Sequence, residues 1–121
     1  MVGMACGWSG QITENLVCLD YLIVGKRFDL IIQLLDSKIP ATQFLAVQTL
    51  EIANKKNKFK VDSLTQIRIA IINLSNNTVY ACYGCLTGYA YSIHSLLCAS
   101  IKPRITKETE KYIKKSLIGR N

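Results

Sequence analysis

Ile12, Leu16, Leu19 and Ile23 recur at intervals of four, three and four residues, with Thr13, Glu14 and Asp20 between them. That is the spacing of one apolar side of a helix. Gly25 is placed to end it. After Lys26 and Arg27 the pattern repeats in Phe28, Ile31, Ile32 and Leu35. This second helix should stop near Ser37, because Pro40 disfavours helical backbone in the residue before it. Pro40 itself suits the first turn of a third helix, where its missing N–H costs nothing. Phe44, Ala46, Val47, Leu50 and Ala53 give that helix a wide apolar face with small residues for close approach.

The run from Asn54 to Lys60 breaks the pattern with four lysines. Ser63 and Gln66 read as a capping box before Leu64, Ile67, Ile71 and Leu74. Their helix is expected to end at Asn76-Asn77, with its apolar residues packed against the other helices. Between Val79 and Tyr91, four tyrosines favour strand while Gly84 and Gly88 favour turns, so an irregular Cys/Tyr/Gly loop with extended pieces is expected. Ile93, Leu96, Leu97 and Ile101 fit a short helix. Thr106 to Ile118 fits a last one, capped by Thr106 and stopped at Gly119, with a thin stripe of Ile113 and Leu117 beside Tyr112. Five or six such helices bury their apolar sides mainly against each other, which predicts an all-α single domain: a compact helical bundle or a short array of helical hairpins.

The length of 121 residues agrees with one domain, and 50% hydrophobic against 19% charged residues excludes a disordered chain. Charge is lopsided. Residues 1–51 carry three basic and five acidic side chains, whereas residues 52–121 carry twelve basic and three acidic. A basic second half attracts acidic proteins, nucleic acid or an anionic surface at long range, without choosing among them.

From Ile69 to Ile101 there are 33 residues with no Asp, Glu, Lys or Arg. Asparagines, tyrosines, glycines and His94 interrupt the stretch, so it reads as protein interior rather than as a membrane span. Met1 to Gly10 lacks the basic and apolar regions of an intact signal peptide. That points toward the cytoplasm, although a processed extracytoplasmic form is compatible with the same residues.

The segment from Asp29 to Glu51 resembles one HEAT-type helical repeat, in which a leucine-rich first helix meets a polar turn and a second helix carries a small residue followed by Leu. Leu34, Leu35, Asp36, Pro40, Ala46 and Leu50 occupy those places, and Gln43 stands where a basic residue is common. The match runs from Arg27 to Asn54, under a quarter of the chain. The resemblance implies stacked helix pairs and a macromolecule-binding surface. It implies no catalytic residue and no cofactor.

Five cysteines stand at positions 6, 18, 82, 85 and 98. Cys82, Cys85, His94 and Cys98 form C-x2-C-x8-H-x3-C, three thiolates and an imidazole, which is the donor set of a closed tetrahedral zinc site. The Cys82/Cys85 pair alone would suit a thiol redox protein, but the strand-then-helix setting of such a pair is not expected here. His94 is the single histidine, so elaborate acid–base chemistry has little to draw on.

Lys55, Lys56, Lys58 and Lys60 surround Phe59, and Lys107, Lys111, Lys114 and Lys115 lie on the last helix. These eight are the candidate patch for an acidic partner or a nucleic acid. The four arginines of the chain come with no recognised base-reading motif. The expectation is therefore a small non-catalytic protein-interaction domain, alone or as a homo-oligomer. A zinc-stabilised adaptor or nucleic-acid-binding module is the alternative, and a thiol redox protein the third reading.

Overall fold

The computed structural model describes residues 2–3, 13–82 and 88–118. They form six α-helices and one antiparallel hairpin. In chain order these are α1 (Glu14–Val24), α2 (Phe28–Gln33) with a 3-10 turn at Leu34–Asp36, α3 (Pro40–Lys55), α4 (Ser63–Asn73), β1 (Thr78–Cys82), β2 (Gly88–Ser92), α5 (Ile93–Cys98) and α6 (Arg104–Ile118).

The protein is built around α3. Its residues Ala41, Phe44 to Leu50 and Ala53 are buried, which covers almost its whole circumference, and it touches the other five helices and β1. Pro40 occupies its first turn as expected. Leu16, Leu19 and Ile23 of α1, with Phe28, Ile31 and Leu35, pack around it in the core. The fourth member of the first stripe, Ile12, lies outside the described residues.

Helix α1 ends at Gly25 as expected, but glycine is not the residue that takes the left-handed turn. Gly25 has ordinary right-handed backbone, φ −77°, and the left-handed residue is Lys26, φ 55°. The Lys26 amide donates to the Ile23 carbonyl and the Arg27 amide to that of Leu22, a Schellman closure with lysine at the position that glycine usually fills. Asn57, φ 57°, closes α3 in the same way, with the Asn57 amide on Asn54 and the Lys58 amide on Ala53. Asparagine tolerates that conformation better than lysine does.

Three further expectations are corrected. The cap of α4 is Asp62 rather than Ser63: its carboxylate accepts from the Thr65 amide at 2.8 Å, while the Gln66 side chain donates to the Val61 carbonyl. The last helix starts at Arg104, and Thr106 is buried inside it, its hydroxyl on the Leu96 carbonyl at 2.9 Å. The segment 79–91 is not an irregular loop where it is described. Val79 pairs with Tyr91, Tyr80 with Ala90 and Ala81 with Tyr89 in an antiparallel ladder. Val2 adds a parallel bridge on the other side of β1, with its amide on the Tyr80 carbonyl and its carbonyl taking the Cys82 amide. The domain is mostly helical, as expected, with a small sheet added to the helices. Cross-strand pairs of tyrosine with valine or alanine, and the burial of Val79 and Ala81, outweigh the glycines, because extended segments that meet a partner satisfy their backbone groups.

Candidate functional site

Three of the eight sequence-predicted lysines converge. Lys55 and Lys56 leave the end of α3 on one wall of a groove, and Lys114 of α6 stands on the other with Lys102 from the segment before it. The groove encloses about 450 Å³ and has Gln48, Ile52, Leu97 and Thr106 among its lining residues. Buried hydrogen bonds fix its two walls. The Gln48 carboxamide donates to the Thr106 carbonyl at 3.0 Å and accepts from the Thr109 hydroxyl at 2.7 Å, tying α3 to α6.

Glu51 and Glu110 share this groove with the four lysines, leaving it net positive. Glu110 accepts from Lys102 at 2.8 Å and from Lys114 at 3.0 Å. The hydrogen bond from Lys102 holds its carboxyl below the usual range; partial burial opposes the shift and Lys114 adds to it. Glu51 accepts a hydrogen bond of 3.3 Å from the Asn73 side chain. Lys55 and Lys56 are exposed and form no ion pair among the described residues.

The other predicted lysines are not brought to the groove. Lys58 and Lys60 line a separate open depression with Asn54, Asn57 and Phe59. Lys107 and Lys111 line a shallower one beside Lys102, Glu110 and Lys114, and Lys115 is exposed elsewhere on α6. Phe59, the aromatic inside the first lysine cluster, is stacked on Phe28 with ring centroids 4.7 Å apart and planes 13° from parallel. Its face toward Phe28 is thereby occupied, which removes half of what base stacking would use.

The cysteine and histidine set divides. Cys82 is disulfide-bonded and presents no thiolate in this state. Cys85 lies outside the described residues. His94 and Cys98 do share one side of α5, but both turn to the end of α4: His94 Nδ1 donates to the Asn73 carbonyl at 2.9 Å and the Cys98 thiol lies 3.5 Å from the same oxygen. They supply hydrogen bonds to a carbonyl that a helix end leaves without an internal partner. Among the described residues no group of three or more His, Cys, Asp or Glu is placed to hold a metal ion.

The surface that sequence reasoning missed is on α4 and its C-terminal cap. Leu64, Ile67, Ile71 and Leu74, expected to pack inward, are 74%, 58%, 65% and 70% exposed. The helix docks through its opposite side instead, where Thr65 and Ile69 are buried. Residues at intervals of three, four and three form one continuous stripe; its exposed neighbours Ser63, Gln66 and Ala70 carry no charge, and Arg68, beside Leu64 and Ile71, is ion-paired with Asp36. The signal was present in the sequence. Helix α4 has apolar residues on two sides, and only one could face α3 and α5.

Comparison with family models, curated proteins and solved structures found no match to this chain. Among the described residues no helix is long and apolar enough to cross a membrane.

Proposed function

We propose that this protein is a non-catalytic helical interaction domain that docks a helix of a protein partner along α4. The observation that carries the reading is the exposed stripe of Leu64, Ile67, Ile71 and Leu74. Single exposed apolar residues are ordinary, but four in register, bordered on one side by the Arg68–Asp36 ion pair, form a patch of the kind found at protein contacts. The three-four-three interval is also the seam along which a second amphipathic helix lays its own apolar side. A HEAT-type identity for the α2–α3 hairpin would agree with this role, since such hairpins serve as scaffolds for binding.

Photo-crosslinking in cells tests the reading, with the reactive group placed at Ile67 in one version and at Lys58 in another. A partner cross-linked from Ile67, not from Lys58, and lost when Leu64→Glu and Ile71→Glu are introduced, supports it. Equal cross-linking from both positions, or no effect of the substitutions, overturns it. A cross-linked pair of this chain with itself would make the partner a second copy.

A further inference from the structure

We propose that the groove between α3 and α6 receives an acidic peptide segment, whose carboxylates are taken by Lys55 and Lys56 on one wall and by Lys102 and Lys114 on the other. The proposal names the chemistry of a partner and so rests on the interaction-domain reading, but it concerns a different surface from the α4 stripe.

Charge complementarity selects the occupant. Four lysines face two glutamates in the groove, and the two exposed lysines at the end of α3 have no ion-pair partner among the described residues. An ammonium group left unpaired on the rim of a concave site attracts an anion more strongly than the same group on a convex surface, because the low-dielectric walls focus its field. Lys102 and Lys114 are engaged by Glu110, and they can turn to an incoming carboxylate only by sharing or leaving it. Helix α3 also sets the walls firmly, since the buried Gln48 contacts to Thr106 and Thr109 leave little room for the groove to collapse.

The same features disfavour a nucleic acid. A phosphate backbone presents negative charge at every step and would pass over both Glu51 and Glu110, whereas a peptide can place carboxylates at the lysines and uncharged residues beside the glutamates. Ile52 and Leu97 give an apolar side chain of such a peptide a place between the charges. A volume of about 450 Å³ is suited to a few residues of chain and is too small for a duplex.

The test uses fluorescence anisotropy on the full chain, with a short labelled peptide alternating glutamate and leucine, its glutamine counterpart, and a single-stranded oligonucleotide as probes. The glutamate peptide should bind and weaken as salt rises, and the glutamine peptide should bind at least about tenfold less tightly. Lys55→Glu with Lys56→Glu should cost about tenfold or more. Lys58→Glu with Lys60→Glu makes the same change in net charge outside the groove and should cost less than about threefold. Glu110→Gln releases Lys102 and Lys114 and should tighten binding several-fold. Equal loss in the two lysine pairs would reduce the effect to net charge and overturn the proposal. Tighter binding of the oligonucleotide, lost on substitution of Lys55 and Lys56, would overturn it in favour of nucleic acid. Leu64→Ser with Ile71→Ser, which leaves net charge as it is, should change peptide binding by less than about twofold, so failure of the groove and failure of the α4 surface register separately.

Discussion

The hydroxyl of Thr109 donates a 2.7 Å hydrogen bond to the side-chain oxygen of Gln48, and both residues are buried. The amide end of Gln48 continues the link to the Thr106 carbonyl, so one polar side chain joins the central helix to the last. Replacing Gln48 with leucine keeps the volume and removes the inter-helix link, while the Thr109 hydroxyl keeps the carbonyls of Ile105 and Thr106 within reach. The expected loss is about 0.5–1.5 kcal/mol in urea unfolding. A loss below about 0.5 kcal/mol would mean that the network contributes no stability.

A second link closes the fold from its other end. Ser116 of α6 donates at 2.6 Å to the carboxylate of Asp20 on α1, a buried acidic side chain. Ser116→Ala removes one donor from a carboxylate that water reaches poorly, and should destabilise the domain by about 1–3 kcal/mol. Denaturant midpoints of wild type and variant measure it directly.

The two apolar populations of the helices should respond in opposite ways. Phe44→Ala opens a cavity at a fully buried site on α3 and should cost about 3–5 kcal/mol. Ile71→Ser, on the exposed stripe of α4, should change stability by no more than about 0.5 kcal/mol. A large loss at Ile71 in thermal unfolding would show that this side chain is buried in solution, and would remove the proposed docking surface.

Lys26 sits in left-handed backbone that costs a side-chain-bearing residue about 1–2 kcal/mol. Lys26→Gly relieves that cost and gives part of it back as greater freedom of the unfolded chain, for an expected net gain of about 0.5–1 kcal/mol. The neighbouring Gly25→Ala should show no such gain, since its backbone is right-handed and an added Cβ would stand 3.2 Å from the Tyr21 carbonyl oxygen. Paired thermal melts distinguish the two sites.

Acid should weaken the fold through carboxylates whose folded-state values are lowered. For Glu110 the cause is chiefly the hydrogen bond from Lys102, and for Asp62 chiefly that from Thr65. A lowered value means that stability is fully present above the ordinary unfolded carboxylate range, at about 4, and is lost as pH falls through the lower folded values. Glu110→Gln with Asp62→Asn should therefore lose less stability than wild type between pH 7 and pH 3, read from denaturant midpoints across that range. An identical pH profile would assign the acid sensitivity to other groups.

Much of the helical plan was legible because local periodicity and stop signals carry it. Leu16, Leu19 and Ile23 are buried as their spacing requires, Pro40 starts α3, and the interruption after Asn54 falls where that helix closes. The groove was legible only in part. Lys55, Lys56 and Lys114 stood out as basic residues, but their meeting across α3 and α6, with Lys102 and against Glu51 and Glu110, involves residues about fifty positions apart. No local pattern encodes such a distance. The hairpin escaped for a related reason, since a strand is stable only with a partner, and the tyrosine- and glycine-rich segment does not announce its register.

What the sequence determined by itself is which segments are helical and, to within about a turn, where each runs, because backbone preferences and the interval between apolar residues act over a turn or two. Only the tertiary structure decided which of two apolar sides of α4 would be sheltered, which lysines would share a groove, and that His94 and Cys98 would finish the end of a neighbouring helix. Those outcomes depend on competition among all the elements for the limited surface of α3. A helix with two apolar sides can bury one against it, and the other is left to solvent or to a partner.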